Sequence, residues 1–195
     1  MLRRLSGLVL ALTLVAVAAC DRPAGQSSLP TQAVATPVPG VRAAGYRSNG
    51  SIYYVTLLAS NEAGSSQTAS QVIPSRWGGK IYLYGGSLNV PARAVSEDTK
   101  FTFTLKTSPY LSADLKAVKV SDGSPVTTFQ TPLTLRLDYS HSATPIPNLQ
   151  YLNIYWVQDG VILEQLKSIV DRRSQNVWAF LNHFSEYSPG LDAAE

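Results

Sequence analysis

The sequence predicts an all-β chain folded as an antiparallel β-sandwich. Apolar and polar residues alternate with a period of two in several short windows, as in Leu133, Leu135, Leu137 and Tyr139. Turn residues punctuate those windows, and no window sustains a long helical period. Charged residues make up only 15% of the chain, while Tyr, Thr, Ser and Val, which suit half-buried pleated surfaces, are plentiful.

With 195 residues the chain has room for one domain with a real core, plus appendages. The domain is expected over residues 45–188, followed by a tail over 189–195. Tyr46-Arg47-Ser48 and the run Ile52 to Leu58 flank Asn49-Gly50, a strong two-residue hairpin signal. Asn61 to Gln71 is small and polar, which predicts a long loop. Lys80 to Tyr84 alternates, with Ile81 and Leu83 on one face and Tyr82 and Tyr84 on the other. Phe101, Phe103 and Leu105 share a face; Leu111 to Val118 reads as one or two helical turns. After the leucine strand, Leu152 to Val157 meets Val161-Ile162-Leu163 across Gln158-Asp159-Gly160, a second hairpin. Val177 to Phe184 is the last apolar strand expected.

The N-terminus follows a different pattern. Met1-Leu2-Arg3-Arg4 is a positive segment, and Leu8 to Val17 is an apolar run broken only by Thr13. That run is too short to cross about 30 Å of hydrocarbon, and it suits the apolar region of a signal peptide. Small residues close it at Val17-Ala18-Ala19-Cys20. This ending resembles the lipobox of bacterial lipoprotein precursors. The resemblance implies that residues 1–19 are removed and that Cys20 carries a thioether-linked diacylglycerol as the new N-terminus. Cys20 is the chain's single cysteine, so no intrachain disulfide forms and stability must come from packing. Residues 20–44, with Pro23, Pro30, Pro37 and Pro39, read as a disordered tether between lipid and domain. The expected location is the bacterial cell envelope, lipid-anchored to a membrane outside the cytoplasm.

The formal charge of +3 belongs partly to the signal, and removing Arg3 and Arg4 leaves 14 basic residues against 13 acidic. A near-neutral mature chain carries no nucleic-acid signature. The expected partners are the membrane, through the lipid, and an envelope protein or a glycan.

The stretch from Gly85-Gly86 through Asn89-Val90-Pro91-Ala92-Arg93-Ala94 to Thr102-Phe103 resembles the opening of a β-sandwich family. That family is the zona-occludens/netrin-receptor domain of ankyrins, netrin receptors and the death-domain protein PIDD; Arg93 stands where it usually has glycine. Pro132 to Leu135, Asn153 to Trp156 and Asn182 to Tyr187 are similar to its later segments. The resemblance covers roughly residues 72–188 and implies a sandwich fold.

One triplet has a mechanism. His183-Phe184-Ser185 matches the self-cleavage site of PIDD and of an autoprocessing nucleoporin. By that resemblance the Ser185 hydroxyl attacks the Phe184 carbonyl, the amide becomes an ester that water hydrolyses, and His183 moves the proton. The step needs a strained peptide and would free only residues 185–195. The plainer reading is a strand whose last aromatic packs inward, so the chain is expected not to be an enzyme. His141 stands beside no carboxylate in its own sequence and reads as a solvated loop residue. Glu97, Asp98, Asp114, Asp122 and Asp159 sit mostly in turn contexts, where Asp bonds the backbone, and nothing pairs them for acid–base work. Two distant histidines give no metal-ligand spacing, so neither metal nor cofactor is expected.

The aromatics offer a binding surface. Tyr82 and Tyr84 form one strip and Tyr151, Tyr155 and Val157 a second; such strips stack on sugars or engage proteins, or serve as cross-strand pairs. Trp77, Trp156 and Trp178 read as core or rim packing, and Arg172-Arg173 as a solvated loop pair.

Overall fold

The computed structural model describes residues 41–48, 51–62 and 65–192, with side chains from Val55 onward. The signal segment, Cys20 and residues 21–40 of the tether lie outside the described residues, as does the Asn49-Gly50 turn, whereas residues 41–44, expected as tether, form the start of a strand, so the domain begins before residue 45. Two sheets pack as a sandwich. The first has the strand order β2 (Ser51–Leu57), β1 (Val41–Ser48), β10 (Val161–Leu166), β9 (Leu152–Gln158), β13 (Glu186–Asp192), β7 (Ser112–Lys119), β6 (Thr99–Lys106), β3 (Ser66–Ile73). The second has the order β11 (Ser168–Asp171), β12 (Asn176–His183), β8 (Thr128–Asp138), β5 (Gly86–Val90), β4 (Gly79–Leu83). Pairing is antiparallel except where Ala44 of β1 meets Val161 of β10 in a parallel contact.

The alternation read from the sequence supplies the core. Phe101, Phe103, Leu105 and Leu115 point inward from the first sheet, against Leu88, Leu133, Leu135, Leu137 and Leu181 from the second. Each such side chain contributes roughly 1.5–3 kcal/mol through burial. The hairpin at Asp159-Gly160 forms with φ of 51° and 76°, and Gln158 belongs to its strand, opposite Val161.

Three expectations are corrected. Asn61 to Gln71 is not all loop, because β3 begins at Ser66. Its inward side needs only Ala69 and Ile73, and on the other side Thr68 bonds Thr104 at 3.0 Å and Ser70 bonds Thr102 at 2.9 Å. An edge strand held by such a ladder carries little apolar signal. Leu111 to Val118 is not helical: residues 112–118 lie in β7, where Ala113, Leu115 and Ala117 are buried between exposed or half-exposed Asp114, Lys116 and Val118. Pairing with β6 overrides the helical preference of Ala, Leu and Lys.

Val177 to Phe184 is not the last strand either. β13 follows and takes in Pro189 to Asp192, so the sheet extends past residue 188. β13 pairs along its length with β9, while on its other side Glu186 and Tyr187 meet β7 and Gly190 to Asp192 meet β2. Pro189 sits where that partner changes, a tolerable place for a residue without an N–H. The β2–β13 pairing closes β1, β2, β13, β9 and β10 into a ring. Val55, Leu57, Tyr155, Val157 and Ile162, with Tyr110, form a second core cluster there. Gly190 permits the packing, since a Cβ there would lie 2.7 Å from Val55 Cγ1 and 3.1 Å from Tyr155 Cε2.

Candidate functional site

Period-two geometry that buries Ile81, Leu88, Leu135 and Ala179 turns their neighbours outward. One outer row runs Tyr82, Ser87, Arg136, Trp178, Ile169 across β4, β5, β8, β12 and β11, each opposite the next. The adjacent row runs Lys80, Asn89, Thr134, Phe180. A solvent-open groove of about 380 Å³ lies over the two rows, lined by those last four residues with Ser87, Arg136 and Trp178. Phe180 is 54% exposed and meets the Trp178 ring edge-on at 5.5 Å. Tyr82, 67% exposed, stands beside the groove with the Lys80 ammonium 4.7 Å from its ring centre, a cation–π distance.

Arg136 spans the middle of the groove. Its Nη2 donates to Ser174 Oγ at 2.7 Å and lies 3.9 Å from Asp171 Oδ2, while its buried Nε has no partner. Hydrogen bonds from Ser174 hold the Asp171 carboxyl below the usual range. The ion pair is exposed and long, so it contributes little and constrains the guanidinium weakly.

The structure gives the expected aromatic strips different fates. Tyr84, 63% exposed, lies past the end of β4, where its ring meets the His141 ring at 4.8 Å. Gln67 brackets its backbone, accepting from Tyr84 N at 3.2 Å and donating to Tyr84 O at 3.4 Å. Tyr82 and Tyr84 therefore attend different neighbours. The second strip does not form: Tyr155 and Val157 are buried in the ring, and the Tyr155 hydroxyl donates to Asp192 Oδ1 at 2.7 Å. Trp77 is not packed but 73% exposed, with the Arg76 guanidinium 4.9 Å above it.

His141 is corrected most. Its Nδ1 lies 3.2 Å from Glu62 Oε1 and its Nε2 3.8 Å from Asp138 Oδ2, so the ring clamps the segment before β3 to the end of β8. Asp138 at i−3 was a visible signal; Glu62 comes from far away in the chain. Asp114 is also no turn residue, since it sits on β7 bridging Lys106 and Lys116. Among the described residues no group of three or more His, Cys, Asp or Glu is placed to hold a metal.

At the His183-Phe184-Ser185 triplet, the Tyr187 hydroxyl donates to His183 O at 2.8 Å and lies 3.1 Å from His183 Nδ1. The imidazole centre lies 4.4 Å from that of the Trp156 ring, with the two planes tilted by 56°. Phe184 packs edge-on against Phe129 and Phe101, and the Ser185 carbonyl accepts from Leu115 N at 3.2 Å. Residues other than glycine with left-handed φ, namely Arg93, Asp159 and Gln175, lie elsewhere. No family model, curated protein or solved structure matches the chain.

Burial, with Glu164 adding to it, pushes the Tyr187 phenol well above its ordinary value; burial raises Tyr110 and Tyr139 as well. The folded state then holds these protons more tightly than the unfolded chain. That stability is complete below about pH 10 and is lost as pH rises further. Thermal melts between about pH 9 and 11 should show a falling transition, and Tyr187→Phe should flatten the fall. At neutral pH the same variant should cost about 1 kcal/mol for the lost hydrogen bond.

Proposed function

We propose that the chain is a lipoprotein of the bacterial cell envelope, anchored through lipid on Cys20, whose sandwich binds a partner and catalyses nothing. The observation that carries the binding is the outer face of the five-stranded sheet. The opposite face already supplies the core, yet Tyr82, Trp178 and Phe180 present aromatic surface outward beside Lys80 and Arg136. Aromatic and arginine side chains are the residue types that most often dominate binding energy. The lipobox resemblance supports the anchor. The kinship proposed with the zona-occludens/netrin-receptor domain draws support from Arg93, whose φ of 62° is the conformation a glycine would favour at that position.

Two variants test the reading. Cys20→Ser should move the protein from the membrane fraction to the soluble one and abolish labelling by radioactive fatty acid. The freed chain should still be retained on delipidated envelope material, and Trp178→Ala/Phe180→Ser should reduce that retention at least tenfold with little change in melting temperature. Membrane association unaltered by Cys20→Ser would overturn the anchor. Retention indifferent to the double variant would overturn the binding face.

A further inference from the structure

We propose that the groove takes an acidic polysaccharide, its sugar rings stacked on Trp178 and Phe180 and its carboxylates held by Lys80 and Arg136. The inference rests on the outer face being the binding face and names what binds there. The lining holds two cations and no carboxylate. The backbones of Lys80 on β4 and Arg136 on β8 stand two strand spacings apart, about 10 Å, so their heads can meet charges at separate points of one ligand. They suit charges repeated along a chain. Between them Asn89 and Thr134 offer an amide and a hydroxyl, the groups that pair with sugar hydroxyls.

Exposed Phe180 and half-buried Trp178 provide flat apolar surface of the kind that the C–H face of a pyranose covers. The groove is open to solvent and its lining crosses β4, β5, β8 and β12, so an extended polymer can lie across it. Strand addition by a peptide would use a sheet edge, whereas these groups stand on a face. Arg136 is suited to a carboxylate because its bond to Ser174 and its long contact with Asp171 both fall on Nη2, which leaves Nη1 to pair with a ligand.

Calorimetric titration of the full mature chain in detergent tests this with three acidic hexasaccharides: oligogalacturonate, oligomannuronate and hyaluronan. Carboxyl-reduced oligogalacturonate and chitohexaose serve as neutral controls. At least one acidic probe should bind ten times more tightly than its neutral counterpart. Arg136→Gln and Lys80→Gln should each weaken it three- to tenfold and lessen its salt dependence. Arg136→Lys should restore part of the loss, and Trp178→Ala should abolish binding. Neutral and acidic probes binding alike, or the charge variants having no effect, would overturn the acidic assignment. No saccharide binding, with Trp178-dependent retention on envelope material intact, would overturn the glycan and leave the binding face standing. Loss of that retention too would mean the face itself is wrong.

Discussion

A chain ended at Phe184 should show no cooperative unfolding transition by calorimetry or circular dichroism. The eleven residues removed include β13, which lies inside its sheet with paired strands on both sides. Tyr187 and Ser188 are fully buried, and the Ser188 hydroxyl donates to Leu111 O at 2.7 Å. Asp192 accepts from Tyr155 Oη at 2.7 Å, Gln165 Nε2 at 3.1 Å and Asn153 Nδ2 at 3.2 Å. Losing one large buried aromatic costs about 3–5 kcal/mol. Adding the backbone ladder and the opened ring exceeds the 5–15 kcal/mol that typically holds a domain together. Tyr187→Ala alone should lower the melting temperature sharply while leaving a visible transition. A truncated chain melting within a few degrees of the intact one would show β13 to be dispensable.

Gly78→Ala should be the most damaging single methyl in the loop joining β3 to β4. Gly78 has φ of 68°, and an added Cβ would lie 2.4 Å from Val90 O, 2.7 Å from Ala92 N and 2.7 Å from Pro91 C. Those are backbone atoms that cannot swing aside, so the left-handed penalty of about 1–2 kcal/mol is joined by a comparable packing strain. Gly123→Ala is the control, with φ of 71° and nothing within 4 Å of its Cβ. It should cost only the left-handed penalty, about 1 kcal/mol. Denaturant titration of both variants should separate them by about 2 kcal/mol or more; equal losses would show that the backbone around Val90 to Ala92 yields.

Which parts were legible follows from what a period of two reports. It reports one buried face, so Ile81, Phe101, Phe103 and the leucines of β8 were plain. β3 was missed because it is held by cross-strand hydroxyl pairs and edge position rather than by apolar residues. β13 was missed because Ser-Pro-Gly resembles a chain break, and only the change of partner at Pro189 makes it tolerable. The ring left no local trace, since Tyr155 looks like any outward tyrosine until Asp192 and Gly190 are brought to it. The outer face was half visible: Tyr82, beside the groove, stood out by alternation. Trp178 and Phe180 were hidden inside a continuous apolar run, because both faces of β12 carry apolar side chains. His141 was legible only in part: Asp138 stands three residues before it, while its nearer carboxylate, Glu62, arrives from before β3.

An open sheet has two sticky borders, each able to recruit a foreign strand and seed aggregation. Because Val55 to Leu57 of β2 turn back onto β13, β3 is the one border of the eight-stranded sheet left open along its whole length among the described residues, and its Ser-Gln-Thr-Ala-Ser-Gln sequence is a poor template for amyloid-like stacking. The five-stranded sheet keeps both of its borders, β11 and β4, so strand pairing between crowded molecules would fall there.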